Sequence, residues 1–214
     1  MEGSSTEEAI IDAAHRVFLK KGRAGARMRE IAEEAGLNRG LLHYYFRSKD
    51  KLFEIVLLES AKRLFGGSMR ILNADLDLFE KIRQFVANFI SVVLTDPSMP
   101  IFVLHELHAN PERYSRLLLS EGLRPDPEAF FAQIRTAAAA GVIRTVEPVQ
   151  LMMNIVSLCM FPFVGSVSFQ IILGIPEERY KDILEVRKKE VAELIIDSIR
   201  PRKEIEDTSG DRET

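Results

Sequence analysis

The segment Ile31-Ala-Glu-Glu-Ala-Gly-Leu-Asn38 restricts the possible folds of this chain more than any other stretch. Ile31, Ala32 and Ala35 give a short helix a small apolar inner face at helical spacing. Gly36 adopts a left-handed backbone at little cost, so the helix ends there and the chain reverses. Leu37 turns back toward the core, and Asn38 is a favoured N-cap for the next helix. Two short helices meeting at such a turn make a helix-turn-helix, whose second helix enters the DNA major groove. Gly40 leaves that helix one face without a side chain, so its backbone can come close to a duplex. Arg39, His43, Tyr44, Tyr45, Arg47, Lys49 and Lys51 crowd donors and rings around the same spot. In an ordinary helical hairpin, turn glycine, cap, small-residue spacing and charge placement need not agree; here they do.

Net charge over the 214 residues is −3, which alone argues against a polyanionic partner. Its distribution argues the other way. Between Arg16 and Lys51 stand ten Lys or Arg against four acids, about +6 on the stretch that holds the turn motif. The remainder therefore carries about −9, so a phosphate-binding face lies at one end only.

The same segment resembles the TetR family of one-component bacterial transcription regulators. The resemblance rests on Ile31-Ala32, Gly36, Gly40, Leu42, the run Tyr44-Tyr45-Phe46, Ser48-Lys49 and Leu52-Phe53, with Ala13-Ala14, Phe18 and Gly22 upstream. It covers residues 6 to about 62. One departure stands out: the family usually starts its second helix with Thr or Ser, where this chain has Ala26-Arg27-Met28. That removes a hydroxyl cap and a phosphate contact, which Arg27 or Arg29 would have to supply. The resemblance implies a helical body that binds a small-molecule inducer. It also implies a homodimer whose last two long helices, about 148 to 172 and 177 to 199, form a four-helix bundle with the partner.

Helical periodicity continues along the chain, and no convincing strand alternation interrupts it. A first helix is expected from an N-cap at Thr6 to Lys21, closed by Gly22 and carrying Ile10, Ala13, Ala14, Val17 and Phe18 inward. Ser48 caps a fourth helix that presents Leu52, Phe53, Val56 and Leu57 inward and fades at Gly66-Gly67. Leu78, Ile82, Phe85, Val86, Phe89, Ile90 and Val93 keep a 3.6-residue rhythm in a helix stopping before Pro97. Shorter helices follow near 98–108 and 111–121, punctuated by Pro100, Pro111 and Pro125; another runs from Asp126 to Gly141. Pro148 opens a helix that Pro162 should kink or break. A last helix spans about 176 to 200, with Tyr180, Ile183, Leu184, Val191, Leu194, Ile195 and Ile199 inward. The polar tail after Pro201 is expected to be disordered.

The expected organisation is all-α: a DNA-binding head over 1–47, a linking helix over 48–74, a ligand-binding and dimerisation body over 75–200, and a tail over 201–214. Hydrophobic residues make up 46% of the chain, enough for a sizeable core. The single Cys159 and an N-terminus without a signal-peptide pattern suit the cytoplasm. From Pro148 to Pro176 there is no charged residue. Its polar Gln150, Asn154, Ser157, Ser166, Ser168 and Gln170, with Pro162, Gly165 and no basic flank, favour a core or subunit-interface helix over a membrane span.

Catalytic or metal chemistry finds little support. His105 and His108 stand three apart, not at the four-residue spacing a zinc-protease helix needs, and no third ligand is evident. Cys159 lies in an apolar run with no basic neighbour, so an inert thiol is expected. No phosphate loop, nucleophile elbow or paired catalytic carboxylates occur, and no cofactor is implied. Phe and Met are abundant in the body, and such side chains line adaptable apolar cavities as well as cores. Phe85, Phe89, Phe102, His105, Phe130, Ile134, Met153, Asn154 and Phe161 are therefore the candidate ligand-binding residues. For DNA the candidates are Arg27, Arg29, Asn38, Arg39, Gly40, His43, Tyr44, Tyr45 and Lys49. Of these Arg39 and His43 are expected at base edges, and Tyr44, Lys49 and Arg27 at phosphates. The partners expected are double-stranded DNA, a small-molecule inducer and a second copy of the chain.

Overall fold

A computed structural model describes residues 2–120 and 126–201. They form eleven helices with no strand among them: α1 (Glu2–Gly25), α2 (Met28–Glu34), α3 (Arg39–Tyr45), α4 (Lys49–Leu72), α5 (Leu78–Thr95), α6 (Met99–Ala109), α7 (Pro111–Ser120), α8 (Glu128–Ala139), α9 (Pro148–Val164), α10 (Ser166–Leu173) and α11 (Glu177–Ile199). Pro125 and all of the tail but its first residue, Pro201, lie outside the described residues. The first three helices and the start of α4 make the head; α5 to α11 make the body.

The stripe expected on α1 is buried, from Ile10 through Phe18, against α2 and α4. Its start differs from the expectation. Thr6 is not a cap, because the helix continues back to Glu2. Gly22 does break it, at φ 64° and ψ 173°.

The long α4 joins head to body and packs on α1, α5 and α6. It does not fade at Gly66-Gly67 but runs on to Leu72. Gly67 is there for proximity. A Cβ on it would lie 2.8 Å from Nδ2 of Asn88 on α5, so its absence lets the two helices approach. Asn88 in turn donates to Ser68 Oγ at 3.3 Å.

In the body, α5 and α11 form the most extensive helix pair, with α9 against both. The oxygen Oδ1 of Asp77 caps α5, accepting from Phe79 N at 3.0 Å and Glu80 N at 3.1 Å. Pro162 does not end α9; the break comes at Gly165, where α10 departs at 68°. The proline still leaves its mark. It has no N–H for the carbonyl of Leu158, and Nη2 of Arg187 on α11 donates to that oxygen at 2.9 Å. The carbonyl of Pro162 itself accepts from the Tyr180 hydroxyl at 2.7 Å. Two side chains of α11 thus donate to backbone carbonyls of α9.

One expected core residue of α11 points outward: Leu194 is 59% exposed. Met153 and Phe161 of α9 and Val167, Ile171 and Ile172 of α10 are likewise exposed. Among the described residues no single helix is long and apolar enough to cross a membrane.

Candidate nucleic-acid interface

The turn between α2 and α3 closes through the two hydrogen bonds expected of a left-handed glycine cap. Gly36, at φ 68°, donates to Glu33 O at 3.1 Å, and Leu37 N donates to Ala32 O at 2.9 Å. Asn38 Oδ1 then accepts from Leu41 N at 2.8 Å and caps α3. Ile31, Ala32 and Leu42 are buried beneath, so the angle between the helices is fixed by packing as well as by the turn.

Solvent sees the other side of α3: Arg39, Gly40, His43 and Tyr44 are all exposed, Tyr44 by 79%. Tyr45 is half-buried and meets Tyr44 edge to face, with centroids 5.4 Å apart. Gly40 is not in open space. A Cβ there would lie 3.2 Å from Asn38 Oδ1, the cap oxygen, so even alanine must displace the cap by a few tenths of an ångström.

Electrostatics sort the basic residues. Each of the four acids in this stretch is engaged by one cation: Arg16 with Glu34 at 2.7 Å, Lys21 with Glu30 at 3.0 Å, Arg29 with Glu33 at 3.5 Å, and Arg23 with Asp50 at 3.0 Å. Arg27, Arg39 and Arg47 are exposed and, among the described residues, form no ion pair. The hydroxyl missing at the start of α2 is replaced in half. Glu30 Oε2 accepts from the backbone N–H of Arg27 at 3.2 Å, the returning arm of a capping box, and Lys21 holds that carboxyl below the usual carboxylate range.

Lys49 is placed differently from the phosphate role expected of it. Its ammonium turns inward and donates to the carbonyls of Arg23 at 2.9 Å and Ala26 at 3.1 Å. It ties the start of α4 to the corner between α1 and α2. Composition cannot reveal this, because the two acceptors are backbone atoms more than twenty residues away.

The nine candidate ligand residues do not share one wall. Phe85, Phe89, Phe130 and Ile134 are packed core, each 3% exposed or less. Met153, Asn154 and Phe161 lie on the outer face of α9. Phe102 is a wedge between head and body. Its ring meets Phe53 of α4 and His15 of α1 edge-on, both at 5.7 Å, while Phe53 meets Phe18 at 4.9 Å. Arg23 and Arg113 stand over the Phe53 ring at 6.0 Å and 5.9 Å, and Arg113 donates to Glu54 at 2.9 Å. His105 lines a cleft of about 620 Å³ between α6, the end of α1 and the start of α4, beside the largely buried Glu106. A residue type alone does not tell a core phenylalanine from a cavity wall, and only the helix partners decide it. Tyr114, which no sequence signal marks out, is buried; its hydroxyl has no protein partner, and burial pushes its pKa up to about 12. Cys159 is fully buried, and burial pushes its thiol up to about 12 against the pull of Arg187.

A sequence profile described as "Bacterial regulatory proteins, tetR family" matches residues 10–56. The HTH-type transcriptional repressor NicS of Pseudomonas putida is 34% identical over 137 residues, 60% of this chain and 64% of that protein. The HTH-type transcriptional repressor KstR2 of Mycolicibacterium smegmatis is 31% identical over 87 residues, 40% of this chain and 42% of that one. The chain thus spans less than two thirds of these relatives' length. A TetR family transcription regulator from Marinobacter aquaeolei superposes with a TM-score of 0.65 over 94% of this chain and 98% of its own, at 16% identity. The profile match takes in the buried stripe of α1, the Gly36 turn and the exposed face of α3, and the superposition extends the likeness in fold through the body. The N-terminal segment, residues 10–56, thus matches the TetR family of bacterial regulatory proteins, and the chain as a whole shares the fold of a solved TetR family regulator.

Proposed function

We propose that the protein is a ligand-responsive transcription regulator, most simply a repressor, that binds a palindromic operator as a homodimer. The observation that carries this reading is the exposed face of α3, where Arg39, Gly40, His43 and Tyr44 stand clear of the core on a rigidly capped helix. Arg39 and His43 reach base edges; Arg27, Tyr44 and Arg47 meet phosphates. Arg27 is favoured over Arg29 because Arg29 is already paired with Glu33. Asn38 and Tyr45 act from behind, one as cap and one as packing. Repression is favoured by the names of NicS and KstR2, both transcriptional repressors.

The partner in the dimer is a second copy docked on α9, α10 and α11. The support is the number of large apolar side chains left exposed on these three helices, among them Ile171 at 75% and Ile172 at 78% exposure. Two heads would then enter successive major grooves, with half-sites about 34 Å or a small multiple of a turn apart. The inducer acts by favouring a body conformation that moves α4 through Phe102 and Phe53, and its effect is bounded by its differential affinity, typically about 1–3 kcal/mol. A gel-shift assay of the full chain against the DNA upstream of its own gene tests the reading. A discrete complex that resists excess random duplex supports it; binding no tighter than to random duplex refutes it.

A further inference from the structure

His15 lies at the middle of α1, where that helix packs on α4, and its ring also reaches Asp96 after α5 and Phe102 of α6. Its side chain is 15% exposed. Nδ1 is 3.5 Å from Oδ2 of Asp96, the residue that ends α5. The ring packs edge-on against Phe102 of α6 at 87°. From α4, Val56, Glu59, Ser60 and Arg63 join Ile11, Asp12 and His15 around a narrow crevice. Nε2 is buried and has no hydrogen-bond partner in the protein. The charges that face the ring are Asp12 and Arg16 from its own helix, Arg63 and Glu59 from α4, and Asp96 from α5. Phe102, its neighbour on α6, brings none.

A neutral imidazole suits this place. With its one proton on Nδ1 the ring faces Asp96, and the buried Nε2 needs no acceptor. A second proton would have to go on Nε2, which is buried without a protein partner; Arg63 and Arg16 oppose the new charge, and Asp96 and Asp12 favour it. Desolvation is the largest influence on the ring and holds its pKa below the usual 6.5, with Asp96 opposing.

We propose that His15 is a proton-operated catch between head and body: neutral, it lets α1 close on Asp96 and Phe102; protonated, it releases that contact and frees the head to change orientation. The proton is then a second effector, acting at the α1–α5–α6 junction rather than through a ligand in the body. Its consequence for DNA binding rests on the function proposed above; the release itself does not. The folded-state pKa is depressed, so the junction's stability is complete above the unfolded value of 6.5 and is lost as pH falls through the folded one.

Amide hydrogen exchange of the full chain, corrected for intrinsic rates, tests this between about pH 7.5 and about pH 5. Peptides from α1 and α6 should exchange faster at the acid end than at the neutral end, while peptides from α9 and α11 keep their protection. His15→Gln and His15→Phe should each abolish that dependence, so a folding defect in one leaves the other to decide. Asp96→Asn should move the transition to lower pH, because it removes a group that raises the pKa of the ring. A wild type without acid dependence, variants that keep it, or an Asp96→Asn transition moved upward would each overturn the catch. Binding of a random duplex, followed in the same samples, separates the two readings. If the chain binds no duplex at either pH, the nucleic-acid reading fails and the exchange data alone decide on His15.

Discussion

Replacing Lys49 by methionine isolates the inward hydrogen bonds from the rest of the side chain. Methionine keeps most of the aliphatic stem and removes the ammonium, leaving the carbonyls of Arg23 and Ala26 without their donor. Hydrogen bonds to a charged group are worth about 1.5–3 kcal/mol each, and water can reach a half-buried site, so a combined loss of about 2 kcal/mol is expected. In a protein of this size that lowers Tm by about 4–8 °C. The ammonium has three protons, two of them committed inward, so at most one remains for a phosphate. Thermal unfolding should therefore show the stability loss. A salt titration of DNA binding should show a slope changed by less than the ~0.9 that one full phosphate contact carries. Lys49→Arg should recover only part of the stability, since a planar guanidinium does not reproduce the two bonds of a compact ammonium. If Lys49→Met melts with the wild type and lowers the salt slope by about one, the inward clamp is wrong and the lysine is a phosphate ligand.

Other perturbations separate packing from propensity. Gly66→Ala should stabilise by up to ~1 kcal/mol, because its Cβ meets open space in a helix interior, whereas Gly67→Ala should destabilise by forcing Asn88 away; equal melting shifts would contradict the close approach. Arg187→Met should cost about 1.5–3 kcal/mol in urea unfolding by stranding the Leu158 carbonyl, and a neutral result would mean the elbow needs no staple. Ile171→Glu should leave the protomer's fold intact yet yield monomers in sedimentation at micromolar concentration; a dimer unchanged by it would move the interface elsewhere. For Gly40, alanine should be near neutral for stability, its helix propensity of about 0.8–1.0 kcal/mol offset by strain on the Asn38 cap. Gly40→Val adds bulk at that same exposed position and should cost DNA affinity more than stability.

What was legible in the sequence was local. Gly36, Asn38 and Ser48 each act within a few residues of themselves, so their roles could be read before any fold was known. The buried stripes of α1, α4 and α5 followed from periodicity for the same reason. What failed depends on partners distant in the chain. Gly67 looked like a helix end because its reason for being small is Asn88, and Lys49 looked like a phosphate ligand because its acceptors are carbonyls. Leu194 fitted the inward rhythm of α11, but that helix has apolar residues on two faces, and periodicity cannot say which one lacks a neighbour. The ligand set fared worst. Phe and Met occur in cores and cavities alike, and Phe102 turned out to bridge head and body.

The central claim is that the exposed face of α3 reads DNA sequence. Binding of wild type, Arg39→Ala and His43→Ala to a duplex from upstream of the gene, and to a random duplex, tests it at one fixed salt concentration. Loss of a base-edge contact should cost about 1–3 kcal/mol on the specific duplex and much less on the random one, with unchanged melting temperatures. Equal losses on both duplexes would make these residues phosphate ligands. No loss on either would mean that α3 does not enter the groove by this face.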